Sequence, residues 1–251
     1  MFSKKKTPLP AVRRLAGQSL RDEKQRLLDD RLIPFYLATA SLWILWAYDS
    51  VRAATHAPPH PKTLLALAIV ATGLSIIVFR RLFGDFRRLN RGEAGELKVA
   101  EALDDLRAEG YRVIHDIVRD GFNIDHVVVG PAGVFAIETK FKSGHGQIEF
   151  RNGQGLFVGG FPDENDCLKQ ARGNAREINR LILDHCGRYE WVFPLVVFVG
   201  AWQVKDDWRT TDARVFTPEA LLPYLADQQP RLKRSEIALI ASHLERSAKA
   251  A

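Results

Sequence analysis

The chain has 251 residues, with 36 Lys/Arg against 30 Asp/Glu, a net charge of +6 and a pI near 9.4. The excess is one-sided: residues 1–91 carry 16 basic and 6 acidic side chains (+10), whereas residues 92–251 carry 20 and 24 (−4). The high pI is therefore no evidence for a generally basic nucleic-acid-binding surface, and Cys167 and Cys186 lack zinc-ligand spacing, reading as small, buried residues.

Residues 1–31 form a basic N-terminal segment that includes Lys4, Lys5, Lys6, Arg13 and Arg14. Two uncharged apolar runs follow, 32–48 and 63–79, each about the minimum length for crossing a bilayer. They predict transmembrane helices over about 32–48 and 63–83, with a polar loop containing Pro58, Pro59 and Pro61 and an interfacial belt of Trp43, Trp46 and Tyr48. A hairpin buried in a soluble core is the alternative, but neither run has a polar face. Basic residues crowd the outer flanks, with Arg80, Arg81, Arg87, Arg88 and Arg91 after the second run and only Arg52 and Lys62 between the runs. The positive-inside rule then places both termini and residues 92–251 in the cytoplasm, on a multi-pass protein of the inner (plasma) membrane. The first run starts far from the N-terminus and lacks a small-residue cleavage site, which argues against a removable signal peptide.

Residues 92–106 have helical periodicity, with Val99, Ala100, Leu103 and Leu106 in one apolar stripe and Glu96 near its centre. A carboxylate on a buried face needs a partner or a metal. Alternatively, Glu96 is a first-turn glutamate favoured by the helix dipole and reaching solvent. A strand is expected over 110–119. Two more, 123–129 and 134–140, flank the turn Gly130-Pro131-Ala132-Gly133. A symmetric connection sets Val129 opposite Val134, hence Asp125 opposite Glu138, with Lys140 on the same face. Two carboxylates about 5 Å apart repel by about 3 kcal/mol at an effective dielectric near 20. Lys140 offsets part of that and a divalent cation would offset the rest. A solvated outer face with a plain Glu138–Lys140 ion pair is the competing reading, weakened by Val127, Val129, Val134 and Ala136 on the same face. His126 alternates to the opposite face and reads as structural.

Further on, short strands are expected over 146–160, around Gly153, and a long helix over 163–185 whose stripe is Leu168, Ala171, Ala175, Ile178 and Ile182. Gln170 lies off that stripe and by periodicity alone is a surface glutamine. A continuous apolar strand covers 191–199, with Pro194 marking a bulge or an edge. A strand near Val215, a helix from Pro218 and a last helix over 234–248 complete an α/β domain over 92–251, long enough for its own core.

Gly95-Glu96, the run 124–131, the run 133–140, Gly144 to Ile148, and Leu168-Lys169-Gln170-Ala171 with Asn174-Ala175 together resemble a nuclease-related (NERD) domain. That family is grouped with the PD-(D/E)XK nucleases, whose core runs helix, three-stranded meander, helix, strand. The resemblance implies Asp125 and Glu138 as metal ligands and Glu96 as a third carboxylate acting directly or through water. It also implies Lys140 orienting or activating the attacking water, and Gln170 supporting it. Ile124 stands where proline would precede the aspartate in the superfamily's name. The implied activity is Mg²⁺- or Mn²⁺-dependent phosphodiester hydrolysis, on DNA with RNA as an alternative substrate. Lys140, Lys142, His145, Arg151, Lys169, Arg172 and Arg176 are the local nucleic-acid-binding candidates, against a solvated helix face for the last three and a turn histidine for His145. A catalytically silent nucleic-acid- or protein-binding module tethered to the membrane is the rival reading.

Overall fold

The computed structural model describes residues 14–54, 61–151, 154–205 and 212–248. Lys4, Lys5, Lys6, Arg13, the loop prolines Pro58 and Pro59, and Gly153 lie outside them. The chain divides into two units: Leu20–Arg91, and Gly92–Ala251 together with Met1–Ser19.

In the first unit, α1 (Gln18–Leu27) passes through a π-helical turn, Leu28–Leu32, into α2 (Ile33–Ala54). The next helix, α3, runs unbroken from Pro61 to Asp104. The sequence suggested separate helices over 63–83 and 92–106. No proline interrupts the interior between them, and a glycine in a helix costs only about 1 kcal/mol, so the two fuse. α2 and α3 are linked by hydrogen bonds between Thr39 Oγ1 and Ser75 Oγ (2.6 Å) and from Trp43 Nε1 to Thr72 Oγ1 (3.0 Å). Among the described residues one helix, Lys62–Glu109, is long and apolar enough to cross a membrane, judged by length and composition.

The second unit is built on a seven-stranded sheet, counted over the described residues. Its strands are β1 (Arg112–Arg119), β2 (Phe122–Gly130), β3 (Gly133–Arg151), β4 (Gly155–Val158), β5 (Phe161–Pro162), β6 (Val192–Val204) and β7 (Arg214–Phe216). β1, β2 and β3 form an antiparallel meander, β6 runs parallel to β3, and β7 runs parallel to β6. Between β5 and β6 lies α4 (Cys167–Cys186), so α3, the meander, α4 and β6 follow one another in the order helix, three strands, helix, strand. β3 is longer than expected. Beyond a register shift between Phe141 and His145 it continues into pairing with β4, which absorbs the first of the short strands anticipated near 146–160.

The β2–β3 register is the expected one, with Val129 opposite Val134 and a two-residue tip between Gly130 and Gly133. Gly130 is required by close approach, since a Cβ there would stand 1.8 Å from the Tyr111 ring. Pro194 faces Ala136 of β3, whereas β7 engages only Leu195 to Val197, so no partner strand needs the missing N–H on that side.

Helices cover both faces. Val127, Val129, Val134 and Ala136 pack with Ala175, Ile178 and Ile182 of α4 and with Ile237, Ile240 and Leu244 of α6 (Arg234–Ser247). Val128, Phe135 and Ile137 pack with Val99 and Leu103 of α3 and with Leu221 and Leu225 of α5 (Pro218–Ala226). Full burial of each such aliphatic side chain stabilises by about 1.5–3 kcal/mol, which fixes the strands bearing Asp125, Glu138 and Lys140 rigidly between two layers.

Candidate active site

Continuing the β2–β3 ladder outward from His126 opposite Ile137 sets Asp125 against Glu138. The Asp125 carboxylate turns to accept the Thr139 backbone N–H at 2.7 Å. Glu138 is buried and held at both oxygens. Lys140 Nζ donates to Oε1 at 2.6 Å, and Asn174 Nδ2, from α4, donates to Oε2 at 2.7 Å. Lys140 Nζ also donates to Gln170 Oε1 at 2.6 Å. Gln170 lies off the apolar stripe of α4, as its periodicity indicates, and is exposed; the partner that brings it into the site is on β3.

Glu96 comes from α3, which lies close on β3: a Cβ at Gly95 would stand 3.2 Å from Phe141 Cβ. Its side chain is buried and accepts the Gly17 backbone N–H at 2.8 Å. The solvent-reaching, first-turn glutamate is thereby ruled out, because Glu96 lies deep within α3.

The electrostatics follow from this crowding. Burial pushes the Glu96 carboxyl up to about 7; the Gly17 N–H opposes the rise, and Asp116, Glu138 and Glu93 add to it. Burial is also the main force on Asp125, reinforced by the charges of Glu138 and Glu96, and drives its carboxyl well above the usual range. For Lys140, burial pulls the ammonium down, but the charge and hydrogen bond of Glu138, with Asp125, outweigh it and leave the group above its ordinary value. Lys140 is thus a fixed cation at neutral pH rather than a proton acceptor.

The three carboxylates share a neighbourhood but are not drawn to a single point. Among the described residues, no three His, Cys, Asp or Glu side chains form a group able to hold a metal. The physical reason is local, since Glu96, Asp125 and Glu138 are each taken by a different protein donor. Their chemistry still suits a hard cation. Mg²⁺ binds through one or two carboxylates and keeps several waters, so a full protein cage is not required, and positive charge would relieve the repulsion that raises Asp125.

Beside Glu138 opens a cleft of about 580 Å³ whose walls include Phe122, Asn123, Lys169, Gln170, Asn174 and Arg176. Of the nucleic-acid-binding candidates, Lys169 and Arg176 are in it. Arg172 instead pairs with Asp212 at 2.8 Å and lines a separate hollow with Tyr189 and Trp191. Lys142 is 3.9 Å from Asp163, and His145 is exposed on β3 past the register shift. Asn174 stood in the sequence as part of a motif, but its grip on Glu138 had no sequence signal. Phe122 and Asn123 had none either.

On the opposite side of β2, His126 is fully buried against His115, with the two Nδ1 atoms 2.9 Å apart. Burial holds both imidazoles below their ordinary values, in keeping with a structural pair.

Residues 91–199, a little under half of the chain, match the family model described as Nuclease-related domain (NERD). The region containing Glu96, Asp125, Glu138, Lys140, Gln170 and Asn174 is therefore similar to a nuclease-related domain. No curated protein and no solved structure matches the chain.

Proposed function

We propose that residues 92–251 form a metal-dependent nuclease of the PD-(D/E)XK type that hydrolyses phosphodiester bonds, with DNA as the first substrate to test and RNA as the second. The observation that carries this is the Lys140 ammonium hydrogen-bonded to both Glu138 and Gln170 beside Asp125, within the segment matching the nuclease-related domain.

Asp125 and Glu138 would hold Mg²⁺ or Mn²⁺, with Glu96 contributing directly or through water. When bound, such an ion supplies Lewis acidity toward a phosphoryl oxygen and lowers the pKa of water. Lys140, protonated and fixed between Glu138 and Gln170, presents positive charge where negative charge builds on the phosphoryl oxygens. The Gln170 amide, its oxygen engaged by Lys140, keeps its NH₂ for water or phosphate. Asn174 prevents Glu138 from rotating away. Lys169 and Arg176 give the adjoining cleft cationic groups for the phosphate chain, while Phe122 offers an aromatic edge.

We place this domain on the cytoplasmic side of the inner membrane, held by the helices over 32–48 and 63–83. Supporting this are the apolar Lys62–Glu109 helix and the exposed apolar side chains of both helices, among them Leu37, Ile44, Leu45, Ile69, Val70 and Ile76. The basic flanks set the orientation, and the Thr39–Ser75 bond is the kind of polar contact that links helices in lipid.

A silent docking module is the second reading, favoured by the protein donors that already occupy all three carboxylates. Incubating DNA and RNA with the wild type, Asp125→Ala and Lys140→Ala in Mg²⁺ or Mn²⁺ separates the two. Metal-dependent cleavage lost in both variants supports the nuclease, and retention of nucleic acid without cleavage by the wild type supports the module.

A further inference from the structure

The nuclease-like site makes use of residues far outside the 91–199 match. Residues 14–19, which precede both apolar helices in the chain, make four hydrogen bonds to two buried carboxylates, Glu96 and Asp116. Gly17 N donates to Glu96 Oε2 at 2.8 Å. Arg14 Nε and Ser19 N donate to Asp116 Oδ2 at 2.9 and 3.0 Å, and Ser19 Oγ donates to Asp116 Oδ1 at 2.6 Å. Between these anchor points Ala16 is 5 % exposed. Asp116, 2 % exposed, belongs to β1 but has φ 53°, where β-strand backbone does not go. The β1–β2 ladder is paired on either side of it, His115 with His126 and Ile117 with Ile124. Left-handed backbone is strained for a residue other than glycine, and here it turns the carboxylate out of the ladder to meet residues 14–19. The contact is therefore built on both sides, with a distorted strand receiving a segment of matching donors.

We infer that residues 14–19 are an intramolecular strap that positions Glu96 for the nuclease site, with Gly17 as the positioning residue and Asp116 as the anchor of the strap. This rests on the nuclease reading above. Without the strap, Glu96 loses the donor that fixes its rotamer, and it swings among several positions near Asp125 and Glu138. The segment that leads into the membrane-directed helices is on this view a working part of the site, and cutting the protein back to the family match removes it.

The test uses the full chain in detergent, comparing the wild type with Arg14→Ala/Ser19→Ala, Asp116→Asn, Glu96→Gln and Asp125→Ala. Mn²⁺ affinity is read by electron paramagnetic resonance without substrate, and kcat and KM are read separately on DNA. Loss of an outer-shell positioning contact typically weakens metal affinity by about 10- to 100-fold. The strap variant should show a loss toward the lower end, with kcat reduced, KM for DNA kept, and no further loss when combined with Glu96→Gln. Asp116→Asn, which keeps the side-chain shape and tolerates the left-handed backbone, should show the same trend while remaining folded. If the wild type binds Mn²⁺ and Asp125→Ala does not, yet the strap variants match the wild type, the strap is overturned alone. Tighter Mn²⁺ binding or higher kcat in the strap variants would make residues 14–19 a plug and also overturn it. A wild type that binds no Mn²⁺ defeats the nuclease reading and the role of the strap together.

Discussion

Glu138 shows how little a strand position says about what a side chain does. Period-two alternation places it on the α4-covered face with Lys140, and the structure joins the two at 2.6 Å. Its second oxygen depends on Asn174, from another element, buried and donating at 2.7 Å. Asn174→Ala leaves that oxygen without its donor in a buried place, at a cost of about 1–3 kcal/mol. Thermal denaturation should register this as a lower Tm, and cleavage should fall as Glu138 becomes free to turn. Cys167 gives a second residue-scale expectation. Burial, with Asp163 nearby, pushes its thiol far up, so native protein should leave it unmodified by a thiol reagent, whereas unfolding should expose it. His126 gives a third. Burial holds its imidazole well below 6.5, the neutral form is favoured on folding, and stability therefore rises with pH until the unfolded-state pKa is passed. Nitrogen NMR at about pH 6, half a unit below the ordinary value, should find the ring neutral.

At the scale of elements, the β2–β3 hairpin was legible because three signals agree: β-branched arms, a Gly/Pro turn and a symmetric connection. Together they fix Val129 opposite Val134, and thus the placement of Asp125 and Glu138. Gln170 was not legible from periodicity, because a helix pattern reports which face is buried and not which exposed side chain meets a neighbouring strand. The continuity of α3 was missed for a different reason: a change of composition from apolar to basic suggests a boundary, but nothing in it breaks a helix. Two substitutions probe the packing that holds the strands. Gly130→Ala puts a methyl group into the Tyr111 ring, so the hairpin or the ring must move, at about 1–3 kcal/mol or more. Ile178→Ala opens a cavity between α4 and the sheet and should cost about 2–5 kcal/mol by denaturant titration.

At the scale of the whole molecule, the two parts carry opposing charges, +10 before residue 92 and −4 from it onward, the division expected of the proposed membrane-anchored nuclease. An alkaline carbonate wash should leave the full chain in the membrane fraction and release a chain lacking residues 20–91. Metal should stabilise the folded domain at the site itself. An ion at about 100 times its Kd adds about 2.7 kcal/mol, so saturating Mn²⁺ should raise Tm in the wild type and leave Asp125→Asn unmoved.

Local chemistry along the chain was enough to establish the apolar runs, the basic flanks, the strand pair with its acidic residues and Lys140, and the resemblance to a nuclease-related domain. These depend on composition, period and turn residues, all of which act over a few positions. Tertiary structure alone decided that Glu96 meets Gly17, that Asp116 leaves its strand to receive residues 14–19, and that Gln170 and Asn174 hold the Lys140–Glu138 pair. Those contacts join residues 30 to 102 positions apart, and hydrogen bonds at such separations arise from how whole elements stack, which no local pattern encodes.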